Sequence, residues 1–182
     1  LIYKKHGMIS LKKLNSEEEI AQILPHYEST FPADERRDRD DFLSLSENTS
    51  VDILGILEDE ISIGYAVVWN LNSFYFLEHF EVFKEFRNRK FGASVLKILT
   101  QTYPKMILES EPSDFNEIAQ RRIAFYERNG FHIIEKHYLQ PSYGEGKNSM
   151  ELYLMANFQN HEIPESIAII HQNVYRFLHE NN

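Results

Sequence analysis

The sequence predicts an α/β fold, a single domain with one mixed sheet of about six to seven strands and helices on both faces. Three observations carry that expectation. Strand-like and helix-like stretches follow one another as strand, two helices, three strands, helix, strand, helix, two strands, helix. A length of 182 residues with 42% hydrophobic content suits one sizeable core and leaves little room for a second. No internal repeat or low-complexity tract interrupts the pattern.

Residues 1–7 precede Met8 and read as an upstream extension or an artificial remnant. A short strand over 8–14 carries Ile9 and Leu11. Ser16 caps a helix whose first turn holds Glu17, Glu18 and Glu19 and whose apolar positions are Ile20, Ile23, Leu24 and Tyr27. Pro25 kinks that helix or ends it early. Phe31-Pro32 opens a second helical stretch to about Leu45, and its run Glu35-Arg36-Arg37-Asp38-Arg39-Asp40-Asp41 reads most simply as a solvated, self-paired face. Strands over 51–57 and 61–69, joined by Glu58-Asp59-Glu60, form a hairpin, and 73–83 is a third strong strand. Phe91, Val95, Ile98 and Leu99 mark a helix over 91–103. A strand over 105–109 follows, then a helix over 115–129 carrying Phe115, Ile118, Ala119, Ile123 and Tyr126. Gly130 stands where a left-handed C-terminal cap belongs. The last strands, 131–139 and 150–155, are joined by a connection containing Gly144 and Gly146. The terminal helix over 163–178 aligns Ile163, Ile167, Ile170, Val174, Phe177 and Leu178, a stripe that packs on its own domain or on a second subunit as a homodimer.

Composition narrows the function. The net charge of −9 sets the chain against nucleic acid and anionic membranes, so neither is an expected partner. With no cysteine there is no disulfide scaffold, no thiol nucleophile and no thiolate metal site, which fits a cytoplasmic protein. The longest apolar run, 61–69, is broken by Ser62 and Gly64 and falls short of the ~20 residues that cross a bilayer. No charged-then-apolar leader is visible, so export is not expected. His79, His132 and His137 lack ligand spacing, and no metal is expected.

Against this acidic background Lys84, Arg87, Arg89 and Lys90 crowd between the end of a strand and the start of a helix, with Gly92 in the first turn. Unpaired amides and the positive dipole end of a helix favour a phosphate there. A solvated basic loop fits the same residues equally well. No GxxxxGK[ST] or GxGxxG element is present.

Strand alternation places Phe74, Phe76, Glu78, Phe80 and Val82 on one face of 73–83, and Tyr75, Leu77, His79, Glu81 and Phe83 on the other. Glu78 is then the single ionisable group among three phenylalanines and a valine. Burial of that kind raises a carboxyl pKa and suits a general base, whereas pairing with a structural arginine is the plainer alternative.

The string Val82-Phe83-Lys84-Glu85-Phe86-Arg87-Asn88-Arg89-Lys90-Phe91-Gly92-Ala93 resembles the acyl-CoA signature of the GNAT N-acetyltransferase superfamily, Q/R-x-x-G-x-G/A. Further on, Phe125-Tyr126-Glu127-Arg128-Asn129-Gly130-Phe131 resembles its F/L-Y-E-x-x-G-F element. The resemblance covers about 8–156, which it implies to be the acetyltransferase domain, with a mixed, mostly antiparallel sheet and a C-terminal helical extension over 157–182. Two positions depart from the pattern. Lys90 replaces the first signature glycine, and Ala119 and Arg122 stand where asparagine and alanine are often found.

The resemblance implies an enzyme that moves an acetyl group from acetyl-CoA to a primary amine of a small molecule or peptide, by direct attack in a ternary complex. Phe80, Glu81 and Val82 would offer backbone groups to the pantetheine arm. Arg87, Asn88, Arg89, Lys90, Phe91, Gly92 and Ala93 would wrap the pyrophosphate, and strands 73–83 and 105–109 would splay to admit the thioester. Glu78 is the expected base, with Glu109 in reserve, and Tyr126 is the expected acid for the departing thiolate. The acceptor pocket would form from 31–42 and 140–146, where Glu35 attracts a cationic amine and Tyr143 closes over it, with Glu109 beside them. A non-catalytic acyl-CoA-binding module on the same fold would keep 87–93 but need neither Glu78 nor Tyr126. A phosphate-ligand regulator unrelated to CoA would respond to nucleotides lacking the pantetheine arm.

Overall fold

A computed structural model describes residues 7–175. Seven strands form one sheet: β1 (Ile9–Lys13), β2 (Val51–Glu58), β3 (Ile61–Asn70), β4 (Tyr75–Val82), β5 (Met106–Ser110), β6 (His132–Gln140) and β7 (Met150–Ala156). Their spatial order is β1-β2-β3-β4-β5-β7-β6. Every neighbouring pair is antiparallel except β4 and β5, which run parallel. Among the described residues six α-helices accompany the strands: α1 (Glu17–Ala21), α2 (Leu24–Thr30), α3 (Arg39–Ser44), α4 (Phe91–Thr102), α5 (Glu117–Arg128) and α6 (Ile163–Ile170), the last running into a π-helical turn at His171–Tyr175.

Local chemistry explains most boundaries. The Ser16 hydroxyl accepts the Glu19 amide at the start of α1, and Asn116 accepts the Ala119 amide at the start of α5. Pro25 sits in the first turn of α2, where its missing N–H costs nothing, so the predicted kink is a break into two helices. Gly130 closes α5 at φ 89°, in the left-handed region. The expected helix over 31–45 is shorter: a 3₁₀ turn at Ala33–Glu35 and an extended Arg36 come first, and α3 begins only at Arg39.

Two cores fill the two faces of the sheet. One joins α2, α3 and the C-terminal helix through Tyr27, Phe42, Trp69, Phe76, Ile107, Val174 and Tyr175. The other seats α4 and α5 through Leu77, Leu99, Leu108, Ile123 and Tyr126. Ile170 and Val174 of the predicted apolar stripe thus pack on their own domain; Phe177 and Leu178 lie outside the described residues. Among the described residues no helix is long and apolar enough to cross a membrane, and no three His, Asp or Glu side chains group to hold a metal.

The sheet opens between β4 and β5. Their ladder holds only Tyr75↔Met106, Phe76↔Ile107 and Leu77↔Leu108. Beyond it β5 stays on β7, with Ser110 opposite Tyr153, while β4 stays on β3. The cause lies in β4. Val68 pairs with Leu77 but Val67 pairs with His79, so Glu78 is the extra residue of a bulge. A bulge bends its strand and adds twist, here at the residue where the parallel pairing stops. The same bulge overturns the simple alternation. Glu78 and His79 both turn to the α2 face, and Phe80 and Val82 join the α4 face instead.

Candidate active site

The open wedge presents backbone. The Phe83 amide bonds the Ile63 carbonyl, so Val82 points its N–H and C=O to the opposite edge, towards the gap. Phe80 is in phase with Val82. Arg87 Nε donates to the Val82 carbonyl at 2.9 Å, and Arg87 Nη2 reaches the buried Glu81 at 3.2 Å. Glu81 also accepts from the Thr30 hydroxyl at 2.6 Å, so Arg87 ties the loop to β4 and α2 at once.

After Arg87 the chain coils through two left-handed residues, Asn88 at φ 64° and Lys90 at φ 63°. Lys90 thereby adopts a conformation that glycine takes freely and other residues take at a cost of about 1 kcal/mol. Lys90, at the position where the signature has glycine, thus holds a left-handed backbone of the kind glycine favours. Helix α4 starts next, and the Gly92 and Ala93 amides meet no acceptor among the described residues. A Cβ added to Gly92 would touch the Phe125 ring at 3.4 Å, an ordinary contact, so internal packing does not demand glycine there.

On the α2 face of the wedge lies a network built by distant residues. Arg37, predicted as part of a solvated charged run, is fully buried. Its Nε and Nη2 hold Glu78 Oε1 at 3.0 and 2.9 Å, and Nη2 also donates to the Val174 carbonyl at 2.9 Å. Trp69 Nε1 donates to Glu78 Oε2 at 2.6 Å and the Tyr143 hydroxyl to Oε1 at 3.0 Å. Desolvation pushes the Glu78 pKa up, but Arg37, His79 and these hydrogen bonds outweigh it and hold the carboxyl below its ordinary value. The expected raised pKa is therefore corrected: a buried carboxylate with an arginine and two donors is a satisfied ion, not a proton acceptor waiting at neutral pH. Desolvation first, with Arg37 adding to it, lowers neighbouring His79 to about 4, so it stays neutral beside the Tyr27 hydroxyl.

Glu109 differs. It sits on β5 at the first position past the parallel ladder, and the Tyr175 hydroxyl donates to its Oε2 at 2.7 Å. The Tyr138 hydroxyl faces the same carboxyl outside hydrogen-bond geometry. Burial drives the Glu109 pKa up to about 7, against the pull of Tyr138 and Tyr175 and with a contribution from the Glu78 charge. Of the two carboxyls flanking the wedge, Glu109 is the one able to change protonation near neutrality.

Residues around the acceptor side also come together. Asn148 bonds the Asp34 carboxylate at 3.0 and 3.1 Å, and Lys147 bonds the Arg36 carbonyl at 2.7 Å and Asp38 at 2.9 Å, clamping the β6–β7 connection onto the turn that carries Glu35. The Glu35 pKa is raised by partial burial and by Glu111, against Arg122. Arg122 pairs with Glu111 at 2.7 Å. Tyr143, expected to close over a ligand, is instead buried, with its ring 5.1 Å from that of Tyr175.

Residues 14–131 match the sequence profile of the Acetyltransferase (GNAT) family. The chain belongs to that family. Among solved structures, a GNAT-family protein from Bacteroides thetaiotaomicron is 27% identical, with a TM-score of 0.80 over 91% of this chain and 98% of its own. The fold is shared with spermidine N-acetyltransferase from Vibrio cholerae, 14% identical with a TM-score of 0.60 over 87% and 98% of the two chains. It is shared also with Arabidopsis thaliana Naa50 bound to the bisubstrate analogue CoA-Ac-MVNAL, 15% identical with a TM-score of 0.58 over 83% and 99%. No curated protein matches the chain in sequence.

In this GNAT acyltransferase Tyr126 lies on α5 in the core beside α4, its ring packed between Phe125 and Phe131. Burial raises its pKa, against Arg122, so the phenol keeps its proton. Sequence reasoning places Arg37 and Tyr138 in or beside the acceptor segments without giving either a role, and gives none to Trp69 and Tyr175. A signal existed for Arg37, because a carboxylate on an aromatic strand needs a cation. For the other three no local pattern distinguishes them from ordinary core residues.

Proposed function

We propose that this GNAT domain transfers an acetyl group from acetyl-CoA to a primary amine of a small molecule or peptide, which attacks the thioester directly. Glu109 takes the proton that the ammonium must lose. Acetyl-CoA supplies the activated carbonyl when bound. The residues present fit it: free amides at Gly92 and Ala93 for the pyrophosphate, the outward backbone of Phe80 and the Val82 amide for the pantetheine arm, the Val82 carbonyl being taken by Arg87, and the wedge for the thioester. Glu81, Arg87, Asn88, Arg89, Lys90 and Phe91 shape that surface. As the nitrogen–carbon bond forms and the carbon–sulfur bond breaks, the Tyr126 phenol gives its proton to the thiolate, and the phenolate left behind regains one through solvent, into which the nitrogen sheds its second proton; burial keeps the phenol protonated until then, and it is the thiolate's need for a proton that draws it off.

The observation that carries this reading is the wedge itself: β4 and β5 part after Leu77 and Leu108, and the first side chain of β5 beyond the ladder is the Glu109 carboxyl, held by the Tyr175 hydroxyl. Glu78 does not serve as base in it; paired with Arg37, it contributes fixed charge. Glu35 at the acceptor side favours a cationic amine, while its neighbour Glu111 is paired with Arg122. The test is acetyl-CoA turnover against polyamines, amino acids, aminoglycosides and peptides with free N-termini, read as released thiol. Thiol release dependent on one amine class is the expected result. Tight acetyl-CoA binding with no thiol released for any amine would instead identify a non-catalytic acyl-CoA module.

A further inference from the structure

The C-terminal segment beyond α6 enters the site from outside the 14–131 region that defines the family. It reaches in through a π-helical turn, His171–Tyr175, a geometry that recurs at functional sites. Two consecutive residues of that turn make the contacts. The Val174 carbonyl accepts from Arg37 Nη2, and the Tyr175 hydroxyl donates to Glu109 Oε2 at 2.7 Å. The Tyr175 ring packs on that of Tyr143, whose hydroxyl holds Glu78. One turn therefore touches the ion pair on β4 and the free carboxyl on β5, the two sides of the wedge.

We propose that Tyr175 is a positioning residue that fixes the Glu109 carboxyl at the edge of the wedge, making the C-terminal helix part of the acyl-transfer site. The inference rests on the assignment of Glu109 as base. Tyr175 is suited to the task because its ring is buried, flanked by Tyr143 and His171, with the hydroxyl on the Glu109 carboxyl. Without it the carboxyl would keep only the misaligned Tyr138 hydroxyl. The groups facing Glu109 are Tyr175 from the π turn, Tyr138 from β6, Tyr143 from the β6–β7 connection and Glu78 from β4, the last paired with Arg37 yet still adding to the upward push on Glu109. His171 packs behind Tyr138 and Tyr175.

The test is Tyr175→Phe, which keeps the ring and removes the donor. In protein carrying 13C-labelled glutamate side chains, the Glu109 resonance is assigned by its loss in Glu109→Gln and titrated without any substrate. A hydrogen bond to the ionised carboxyl favours that form, so its removal moves the titration midpoint upward by about one pH unit. The acid limb of turnover, measured with acetyl-CoA and the best amine of the panel above, moves by the same amount. In a Glu109→Gln background Tyr175→Phe costs nothing further in turnover, because the tyrosine acts through the carboxyl. If the midpoint stays put while Glu109→Gln abolishes the acid limb, this inference alone is overturned. If the acid limb survives Glu109→Gln, the base assignment falls and the inference falls with it.

Discussion

The loop 87–93 follows the C-terminal end of β4, the Arg37–Glu78–Glu109 network gathers at the middle of that strand where the sheet opens, and the two are built by opposite means. The loop is local: Arg87, two left-handed residues and the first turn of α4 follow one another in the chain, and what they present is backbone. The network is long-range: Arg37, Trp69, Glu78, Glu109, Tyr143, Val174 and Tyr175 come from six separate segments, and apart from the Val174 carbonyl what they present is side chains. A backbone site tolerates changes of side chain, as Lys90 in a glycine conformation shows. A buried side-chain network tolerates few, since the Glu78 carboxylate depends on Arg37, Trp69 and Tyr143 together.

Substitutions should separate the two regions. Arg37→Ala leaves the Glu78 charge buried and uncompensated, so chemical denaturation should show a loss of about 3–5 kcal/mol. A loss within 1 kcal/mol would mean that the ion pair contributes little. Glu109→Gln should reduce turnover by about 10²–10⁴-fold and erase the fall in rate below neutral pH. Its effect on stability has the opposite sign. The folded pKa of about 7 lies above the ordinary 4.5, so the native state favours the protonated form. The associated stability is complete below pH 4.5 and is lost as pH rises through about 7. The neutral glutamine should therefore be more stable than wild type above pH 7, visible in thermal denaturation as a flatter pH dependence.

Tyr126→Phe should lower turnover by roughly ten- to a hundredfold with acetyl-CoA affinity almost unchanged. Equal turnover would remove it from the chemistry. The smallest effect belongs to the loop. Gly92→Ala meets only an ordinary contact with Phe125 and gains helix propensity, so stability should change by no more than about 1 kcal/mol. Acetyl-CoA binding, measured calorimetrically, should nevertheless weaken several-fold. Unchanged binding would mean that nothing approaches that backbone.

The same division governs what could be read from the chain. The loop, α4, α5 with its Gly130 cap and the tyrosine element are contiguous, and each is visible in a window of a few residues. The charged run around Arg37 was misjudged because a window of like composition on a surface looks identical. Only β3 and β4, folded beneath it, make one of its arginines the counter-ion of Glu78. The faces of β4 failed for a related reason: a bulge depends on the partner strand, and nothing in Phe76-Leu77-Glu78-His79 announces that Glu78 will be left unmatched.

Length, element order and the two short motifs were enough to determine the α/β class, the family and the strand-to-helix turn between Val82 and Ala93, because those features arise from neighbours along the chain. Which carboxyl is paired and which is left to titrate was decided by tertiary structure alone. Two glutamates on adjacent strands have the same intrinsic acidity. One received an arginine, and the other received the hydroxyl of a tyrosine from the far end of the fold in a dry environment. Desolvation and partner charge set a pKa, and both are properties of the packed molecule.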